Sequence, residues 1–379
     1  MRITIDLSAA VRRHGGLGRY AQELTSALVS LGSGDDYRAL LHSTDRDLRP
    51  DPPLDGLPVQ RVPLEAKPWR MSVLLASFAR LPLDPVIGPA DLFHATDHLL
   101  PPLRRVRSVL TVHDLIFRHL PEHHLPLNRW YLTLMMPRFI RSADAVIAVS
   151  AHTKRDLMAL YGVADERVWV IPEGVDERFH PASPDEQAAV RAKLGLPERF
   201  ILYLGTIEPR KNLVALLDAY QALAAAGERA DLVIAGRKGW LFEPVFEQVR
   251  RLGLEKRVHF TGWVDDADAP ALLSAARLFA FPSQSEGFGL PPLEAMACGT
   301  PVVAADRASL PEVIGEAGLL IDPDDRGALA DAMRRILTDG ELAAVLRARG
   351  LRQALRFRWE NAALETLAVY RTVARGGRR

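Results

Sequence analysis

The sequence has little cysteine, little net charge and no long apolar run. Among its 379 residues there is one cysteine, Cys298, which excludes a disulfide framework and a cysteine-rich zinc site. The formal net charge is +1, so no global attraction draws the chain to nucleic acid, and we expect no nucleic-acid partner. No apolar stretch approaches the roughly 18 residues of a membrane-spanning helix. A single cysteine fits a reducing cytoplasm, where we expect the protein.

The composition is that of a folded α/β chain with about two domains. Hydrophobic residues make up 48% and charged residues 25%, which excludes disorder for the bulk of the chain. Short apolar runs alternate with helical periodicity, which predicts βα units around parallel sheets. A polar, Pro-rich stretch at 172–197 interrupts the alternation, which then restarts. We therefore predict two doubly wound parallel-sheet domains, residues 1–175 and 176–356, with a ligand crevice between them.

A glycine-containing loop that opens a helix carries the strongest chemical signal. The loop 286–289 follows a predicted buried strand and leads into a helix with prolines in its first turn. Backbone N–H groups at such a helix start point outward and suit a diphosphate. Glu286 and Glu294 lie eight positions apart, and their carboxylates can bind the vicinal hydroxyls of a ribose or sugar. The alternative is an ordinary helix start, with Glu294 as a partner of the helix dipole.

This loop and helix resemble the E-x7-E signature of retaining glycosyltransferases of family 4, which have the GT-B fold. The likeness covers almost the whole chain, including the segments 14–20, 112–115, 143–150, 171–176 and 205–212. It implies two Rossmann-like domains that face each other across a cleft. The first would be the acceptor-side domain, joined by a C-terminal helix at about 357–379, and the second would bind the nucleotide-sugar donor.

The resemblance also implies roles for individual residues. Glu286 would contact hydroxyls of the transferred sugar, Glu294 the nucleoside ribose, and Lys211 the diphosphate. The catalytic residues implied are His113, Lys211 and Glu286. The further donor-binding residues implied are Gly16, Thr206, Arg210, Trp263, Val264, Gly287, Phe288, Gly289, Leu290 and Glu294.

Two of these positions carry open alternatives. Many family members have an arginine directly after the glycine of the first strand of the second domain, where this chain has Thr206. Arg210 is the candidate replacement, and a surface pair between Arg210 and an acid is the alternative. His113 ends a predicted strand and is followed by Asp114, which we expect to orient it; a purely structural histidine is the alternative.

No motif indicates a metal ion or a resident cofactor. Three Asp-x-Asp triplets, at 45–47, 266–268 and 322–324, lie in acidic loops in which charge is simply solvated. Enzymes with the GT-B fold usually replace the metal with Lys or Arg side chains and a helix dipole. We therefore predict a metal-independent site, in which the nucleotide sugar is a co-substrate.

The pattern as a whole looks most like bacterial mannosyltransferases of polysaccharide or O-antigen assembly. The predicted function is retaining hexosyl transfer, with GDP-mannose as first donor and a glycan or lipid-linked acceptor. The alternatives are a UDP-hexose-dependent transferase and a nucleotide-sugar-binding protein without activity. An epimerase lacks the E-x7-E pattern, and a dehydrogenase is excluded by the spacing of Gly15, Gly16 and Gly18.

A basic band lies in the first domain. Residues 101–141 hold seven arginines and two acids, a balance of +5. Apolar residues are interleaved with them, at Trp130, Tyr131, Leu132, Leu134, Met135 and Met136. The band suits a peripheral contact with an anionic membrane at its inner face or a lipid-linked acceptor, with Arg104, Arg105 and Arg107 as its first candidates. The alternative is a buried helix with arginines facing water.

Overall fold

The computed structural model describes residues 1–12 and 15–376 and divides the chain into two compact units. The first comprises Met1–Gly174 and the C-terminal segment from Trp359, and the second comprises Val175–Arg358. The sequence-based bounds at 175 and 356 lie next to these divisions. Each unit is an α/β structure around one parallel sheet, so the predicted fold class is confirmed.

The first unit is built on seven parallel strands in the order β3-β2-β1-β4-β5-β6-β7. The strands are β1 (Arg2–Asp6), β2 (Asp36–His42), β3 (Val59–Val62), β4 (Leu92–Ala95), β5 (Arg107–Val112), β6 (Ala145–Ala148) and β7 (Val168–Val170). The helices are α1 (Ser8–Val11), α2 (Gly15–Ser30), α3 (Ala66–Ala79), α4 (Asp84–Ile87), α5 (Ile116–His119), α6 (Pro126–Ser142) and α7 (Ala151–Tyr161). Strands β4 and β6 are buried along their whole length, which explains their continuous rather than alternating hydrophobicity.

The second unit has six parallel strands in the order β10-β9-β8-β11-β12-β13. The strands are β8 (Phe200–Leu204), β9 (Asp231–Ala235), β10 (Val258–Gly262), β11 (Leu278–Phe281), β12 (Val302–Ala305) and β13 (Gly318–Ile321). The helices are α8 (Pro184–Leu194), α9 (Leu213–Ala225), α10 (Glu243–Arg251), α11 (Ala269–Ala275), α12 (Leu290–Ala297), α13 (Leu310–Ile314), α14 (Arg326–Thr338) and α15 (Gly340–Ala354). The last helix, α16 (Trp359–Arg375), belongs to the first unit.

Local sequence explains where individual helices begin and end. Ser183 caps α8 in a capping box with Glu186, Pro184 follows at the first helical position, and Gly195 ends the helix in the left-handed conformation. Among the described residues, none forms a helix that is both long and apolar enough to cross a membrane.

Each sheet reverses its strand order at one point. The reversal lies between β1 and β4 in the first unit and between β8 and β11 in the second. In open parallel sheets, ligands bind outside the carboxyl ends of the strands at such a point. The topology therefore predicts that the loops after these strands bind the ligand.

Candidate active site

In the second unit, the loops after β8 and β11 bring an acid and two cations together. Lys211 lies in a 3₁₀ turn, Pro209–Lys211, shortly after β8. Its Nζ atom is 2.6 Å from Oε1 of Glu286, which follows β11. Arg210 binds the other carboxylate oxygen, with Nη1 2.7 Å from Oε2. The fold thus brings Arg210 and Lys211 next to a third predicted site residue, Glu286, which lies 75 or more positions later in the chain.

A fourth charged residue, Glu208, completes this cluster. Its Oε1 atom accepts a hydrogen bond from Nε of Arg210 at 2.7 Å, and its side chain is only 3% exposed. Two acids therefore face two cations, and the formal charges balance. Arg210 is paired with acids, as in the alternative interpretation, but it is four-fifths buried rather than on the surface. Sequence reasoning assigned no role to Glu208, although it lies within the segment 205–212.

Burial and charge together set the ionisation of the cluster. Burial raises the pKa of Glu286, but the charges of Arg210 and Lys211 outweigh it and lower this pKa to about 2. The pKa of Lys211 is lowered by burial and by the adjacent Arg210 charge. Glu286 is therefore a firmly ionised carboxylate held between two cations.

The glycine-containing loop is fixed by side chain and backbone contacts. Gly289 has a φ of +121°, and a Cβ atom there would come within 2.8 Å of Leu310. The Ser309 hydroxyl donates to the carbonyl oxygens of Glu286 and Phe288, at 2.8 and 2.7 Å. Helix α12 then begins at Leu290, with Pro291 and Pro292 in its first turn, as the sequence predicts.

Other predicted donor-binding residues lie around the same sheet edge. Glu294 is buried on α12 at 3% exposure. Thr206 lies two residues after β8 and is exposed, and its carbonyl oxygen accepts a hydrogen bond from the Tyr203 hydroxyl at 3.0 Å. Trp263 is 43% exposed, with the Arg237 guanidinium stacked 3.9 Å from its ring centre, whereas Val264 is buried.

In the first unit, His113 follows β5 and both of its ring nitrogens face acceptors. Nε2 lies 2.9 Å from the carbonyl oxygen of Thr96, and Nδ1 lies 3.2 Å from Oε1 of Glu173. This is the geometry of an imidazolium that donates from both nitrogens. Burial lowers the pKa of His113, but the hydrogen bond and charge of Glu173 and the Thr96 carbonyl raise it overall.

The carboxylate that orients His113 is not the one predicted. Asp114 turns away, and its Oδ1 accepts from the backbone N–H of Ile116 at 3.1 Å, as in an Asx turn. Glu173 takes the role instead. It lies in the segment 171–176, which the resemblance includes but to which we gave no function.

A chain of buried hydrogen bonds lies behind His113. His94 contacts the Tyr370 hydroxyl through Nδ1 at 2.7 Å and the Thr111 hydroxyl through Nε2 at 2.8 Å. Thr111 in turn lies 2.9 Å from the Tyr20 hydroxyl, and the Tyr20 ring meets His113 edge-on, with centroids 4.6 Å apart. Burial, and then the His113 charge, lower the pKa of His94 to about 3, so this histidine is neutral.

The glycines after β1 differ in how closely other protein atoms approach them. A Cβ atom on Gly18 would come within 2.7 Å of the Ala9 carbonyl, whereas one on Gly16 would meet no protein atom within 4 Å. Gly18 therefore permits the close packing of α1 on α2, whereas Gly16 faces open space. His14, the first residue of this motif, lies outside the described residues.

Within the residues that the structure describes, no group of three or more His, Cys, Asp or Glu side chains is arranged to hold a metal ion. Several aspartates of the triplets form salt bridges. Asp322 and Asp324 both bind Arg307 at 3.0 Å, and Asp268 binds Lys193 at 2.6 Å.

The residues of the basic band differ in burial and in ion pairing. Tyr131, Leu132, Met135 and Met136 belong to the core, which agrees with the alternative of a buried helix for these four residues. Arg107 pairs with Asp144 at 2.9 Å. Of the interleaved residues, Trp130 is exposed and Leu134 half-buried.

Comparison with known proteins identifies the family. Residues 14–179 match the family described as Glycosyltransferase Family 4, and residues 186–353 match Glycosyl transferases group 1. The O-antigen chain mannosyltransferase B of Escherichia coli is 33% identical over 373 residues, which cover 94% of this chain and 96% of that protein. The chain belongs to these glycosyltransferases.

Solved structures show the same fold. Sucrose-phosphate synthase from Thermosynechococcus elongatus has a TM-score of 0.77 at 24% identity, covering 98% of this chain and 99% of that one. Anabaena Alr3699/HepE in complex with UDP-glucose has a TM-score of 0.74 at 23% identity, covering 98% and 100%. The resemblance drawn from the motifs and its GT-B architecture are thereby confirmed for this glycosyltransferase.

Proposed function

We propose that this glycosyltransferase moves mannose from GDP-mannose to a glycan or lipid-linked acceptor, with retention of the anomeric configuration and without a metal ion. One observation carries the proposal of donor chemistry. Arg210 and Lys211 hold the Glu286 carboxylate at the point where the strand order of the second sheet reverses. The choice of mannose rests on the similarity to the Escherichia coli mannosyltransferase.

The cluster suits an exchange of partners when a donor binds. A diphosphate brings negative charge to a site in which two acids already balance two cations. Lys211 is a point-charge phosphate binder, and the N–H groups of residues 287–290 are further donors. When a diphosphate binds Lys211, the salt bridge between Lys211 and Glu286 breaks. The freed carboxylate oxygen of Glu286 can then accept hydrogen bonds from the sugar. Lysine, arginine and backbone dipoles would supply the electrostatic stabilisation for which other enzymes use a metal.

His113 receives an electrostatic role in this proposal. An imidazolium whose two nitrogens already donate has no lone pair with which to accept a proton. It therefore does not serve as a general base in this state. Its positive charge is suited to stabilising the negative charge that develops as the diphosphate leaves. The acceptor hydroxyl would attack from the side of the leaving group, the route that we propose for retention.

A lipid-linked acceptor would be presented at a membrane surface. We propose a peripheral enzyme on the cytoplasmic side of the membrane.

A donor panel tests this function. The protein is incubated with GDP-mannose, GDP-glucose, UDP-glucose or UDP-galactose, with and without EDTA, and release of nucleoside diphosphate is followed. We expect slow hydrolysis of GDP-mannose that EDTA leaves unchanged. Preference for a UDP-hexose would favour the alternative donor, and loss in EDTA restored by Mg²⁺ or Mn²⁺ would overturn the metal-independent mechanism. Binding of every donor without turnover, with or without sugar acceptors, would indicate a nucleotide-sugar-binding protein.

A further inference from the structure

Helix α3 has an apolar face that the core does not cover. Trp69, Val73 and Leu74 pack into the core of the first unit. On the opposite side Met71, Leu75 and Phe78 are 50%, 61% and 51% exposed. Their spacing of four and three residues places them on one stripe of the helix. Sequence periodicity offers no reason for this stripe, because a helix that only covered the core would present polar residues there.

Helix α6 carries a second stripe of the same kind. Tyr131, Leu132, Met135 and Met136 of this helix pack into the core. Leu127 and Trp130, by contrast, are 76% and 53% exposed. Half-buried Leu134 lies on the same stripe one turn farther on and also packs against the core. We call these six residues, Met71, Leu75, Phe78, Leu127, Trp130 and Leu134, the docking face.

Side-chain contacts link the two helices that carry these stripes. Arg70 donates to Oδ1 of Asn128 at 2.9 Å, and its guanidinium lies 4.1 Å from the centre of the Tyr131 ring. Farther along both helices, the Arg138 guanidinium lies 4.3 Å from the centre of the Phe78 ring. The helices therefore run side by side in the same direction. Exposed apolar stripes on two neighbouring helices indicate an interaction site.

The charges of the two helices identify the partner. Residues 66–79 and 126–142 contain Lys67, Arg70, Arg129, Arg138 and Arg141, and no Asp or Glu. Exposed apolar side chains on helices whose charged residues are all cations suit the acyl boundary and anionic headgroups of a bilayer. A second copy of the chain, docked face to face by a two-fold axis, would place these cations against one another.

We propose that the docking face seats the first unit on an anionic bilayer, with its apolar side chains in the interface and its cations at the headgroups. This deepens the proposed function, because it holds the enzyme where a lipid-linked acceptor would be presented. It replaces Arg104, Arg105 and Arg107 as the centre of membrane contact.

Vesicle co-sedimentation tests the docking face directly. Phosphatidylcholine vesicles are compared with vesicles that also contain phosphatidylglycerol. We expect binding only with phosphatidylglycerol, and a fall in binding with added salt, since salt screens exposed charges. The Leu75→Gln/Trp130→Gln and Lys67→Gln/Arg129→Gln variants should each bind about tenfold more weakly. The matched control is Leu355→Gln/Leu364→Gln, because these leucines are 61% and 54% exposed elsewhere and should not matter.

The outcomes separate this proposal from the donor chemistry. Equal binding to both vesicles, or a Leu75→Gln/Trp130→Gln variant that binds like its control, would overturn the docking face. The proposal would also be overturned if light scattering showed that the wild type is a dimer and that Leu75→Gln/Trp130→Gln is a monomer. The docking face would then serve self-association. Donor hydrolysis in detergent-free buffer should be unchanged in all variants. If no protein hydrolyses any donor but vesicle binding behaves as expected, the proposed function fails and the docking face stands.

Discussion

The Nδ1 atom of His113 lies 3.2 Å from Oε1 of Glu173, a residue 60 positions later in the chain. His113 follows β5 and Glu173 follows β7, with β6 between these strands in the sheet. The segment after β7 therefore reaches back across the sheet edge to bind the histidine. Both side chains are buried, at 8% and 6% exposure, so water screens their interaction little.

Replacing Glu173 by glutamine tests this pair. Glu173→Gln should lower the pKa of His113, because the hydrogen bond and charge of Glu173 are what raise it most. A raised histidine pKa contributes stability below its unfolded value of about 6.5 and loses that stability as pH rises through the folded value. The variant should therefore be destabilised more at acidic than at alkaline pH. NMR titration of His113 and urea unfolding at several pH values measure both effects.

The control for this pair is Asp114→Asn. Its carboxylate binds the Ile116 N–H rather than the His113 ring, so the pKa of His113 should hardly change. A larger shift from Asp114→Asn than from Glu173→Gln would show that the predicted orienting residue was right after all. Donor turnover should fall in Glu173→Gln, since the imidazolium charge is the feature assigned to catalysis.

Replacing Glu286 by glutamine separates sugar contact from diphosphate binding. Turnover should fall by about tenfold to a hundredfold, the effect of losing hydrogen bonds to a charged group. Affinity for nucleoside diphosphate should be unchanged or higher, because Lys211 and Arg210 lose a competing anion. Calorimetry and turnover assays measure this split, with Glu341→Gln on the exposed start of α15 as the control. A parallel loss of diphosphate affinity would refute the sugar-contact role.

The same substitution predicts an acid dependence of stability. Glu286 has a folded pKa of about 2, below its ordinary 4.5, so its ionised form contributes stability that is present above 4.5. That contribution is lost as pH falls toward about 2. The difference in free energy of unfolding between the wild type and Glu286→Gln should shrink over this interval. A constant difference throughout would mean that the carboxylate charge does not stabilise the fold.

The sequence was sufficient for the alternation of strands and helices, because continuous apolar runs mark strands buried on both faces. It was also sufficient to predict the loop 286–289 and the start of α12, because glycine and proline restrict the backbone conformation at their own positions. It could not supply the strand order, and only that order brings Lys211 beside Glu286.

Long-range contacts account for what sequence reasoning missed. Asp114 is next to His113 in the chain, but its carboxylate accepts a hydrogen bond from the backbone N–H of Ile116. Glu173, which is distant in the sequence, contacts the His113 ring instead. The docking face was missed for a related reason. Leu74 and Leu75 are adjacent and equally apolar, and only the packing of α3 decides that one is buried and the other exposed.

Glu294→Ala should mainly weaken binding of the donor nucleotide, because its proposed contact is with ribose hydroxyls. The loss of one charged hydrogen-bonding group corresponds to roughly 1.5–3 kcal/mol of binding free energy. Glu294 is buried, so thermal unfolding must show that the variant is folded before calorimetry is interpreted. Glu341→Ala provides the exposed control. An unchanged affinity for the nucleoside diphosphate in the folded variant would remove Glu294 from the ribose site.

Arg210→Gln decides whether Arg210 replaces the arginine that the family usually has at the position of Thr206. Its guanidinium already binds Glu208 and Glu286, so we expect it to hold Glu286 in place more than to bind phosphate. Turnover should therefore fall strongly, whereas nucleoside diphosphate affinity should fall less than in Lys211→Met. Arg210→Lys should restore turnover only in part, because an ammonium cannot bind both acids with the geometry of a guanidinium. Calorimetry and turnover on the three variants give the comparison. If Arg210→Gln costs as much diphosphate affinity as Lys211→Met, Arg210 is itself a phosphate-binding residue and compensates for Thr206.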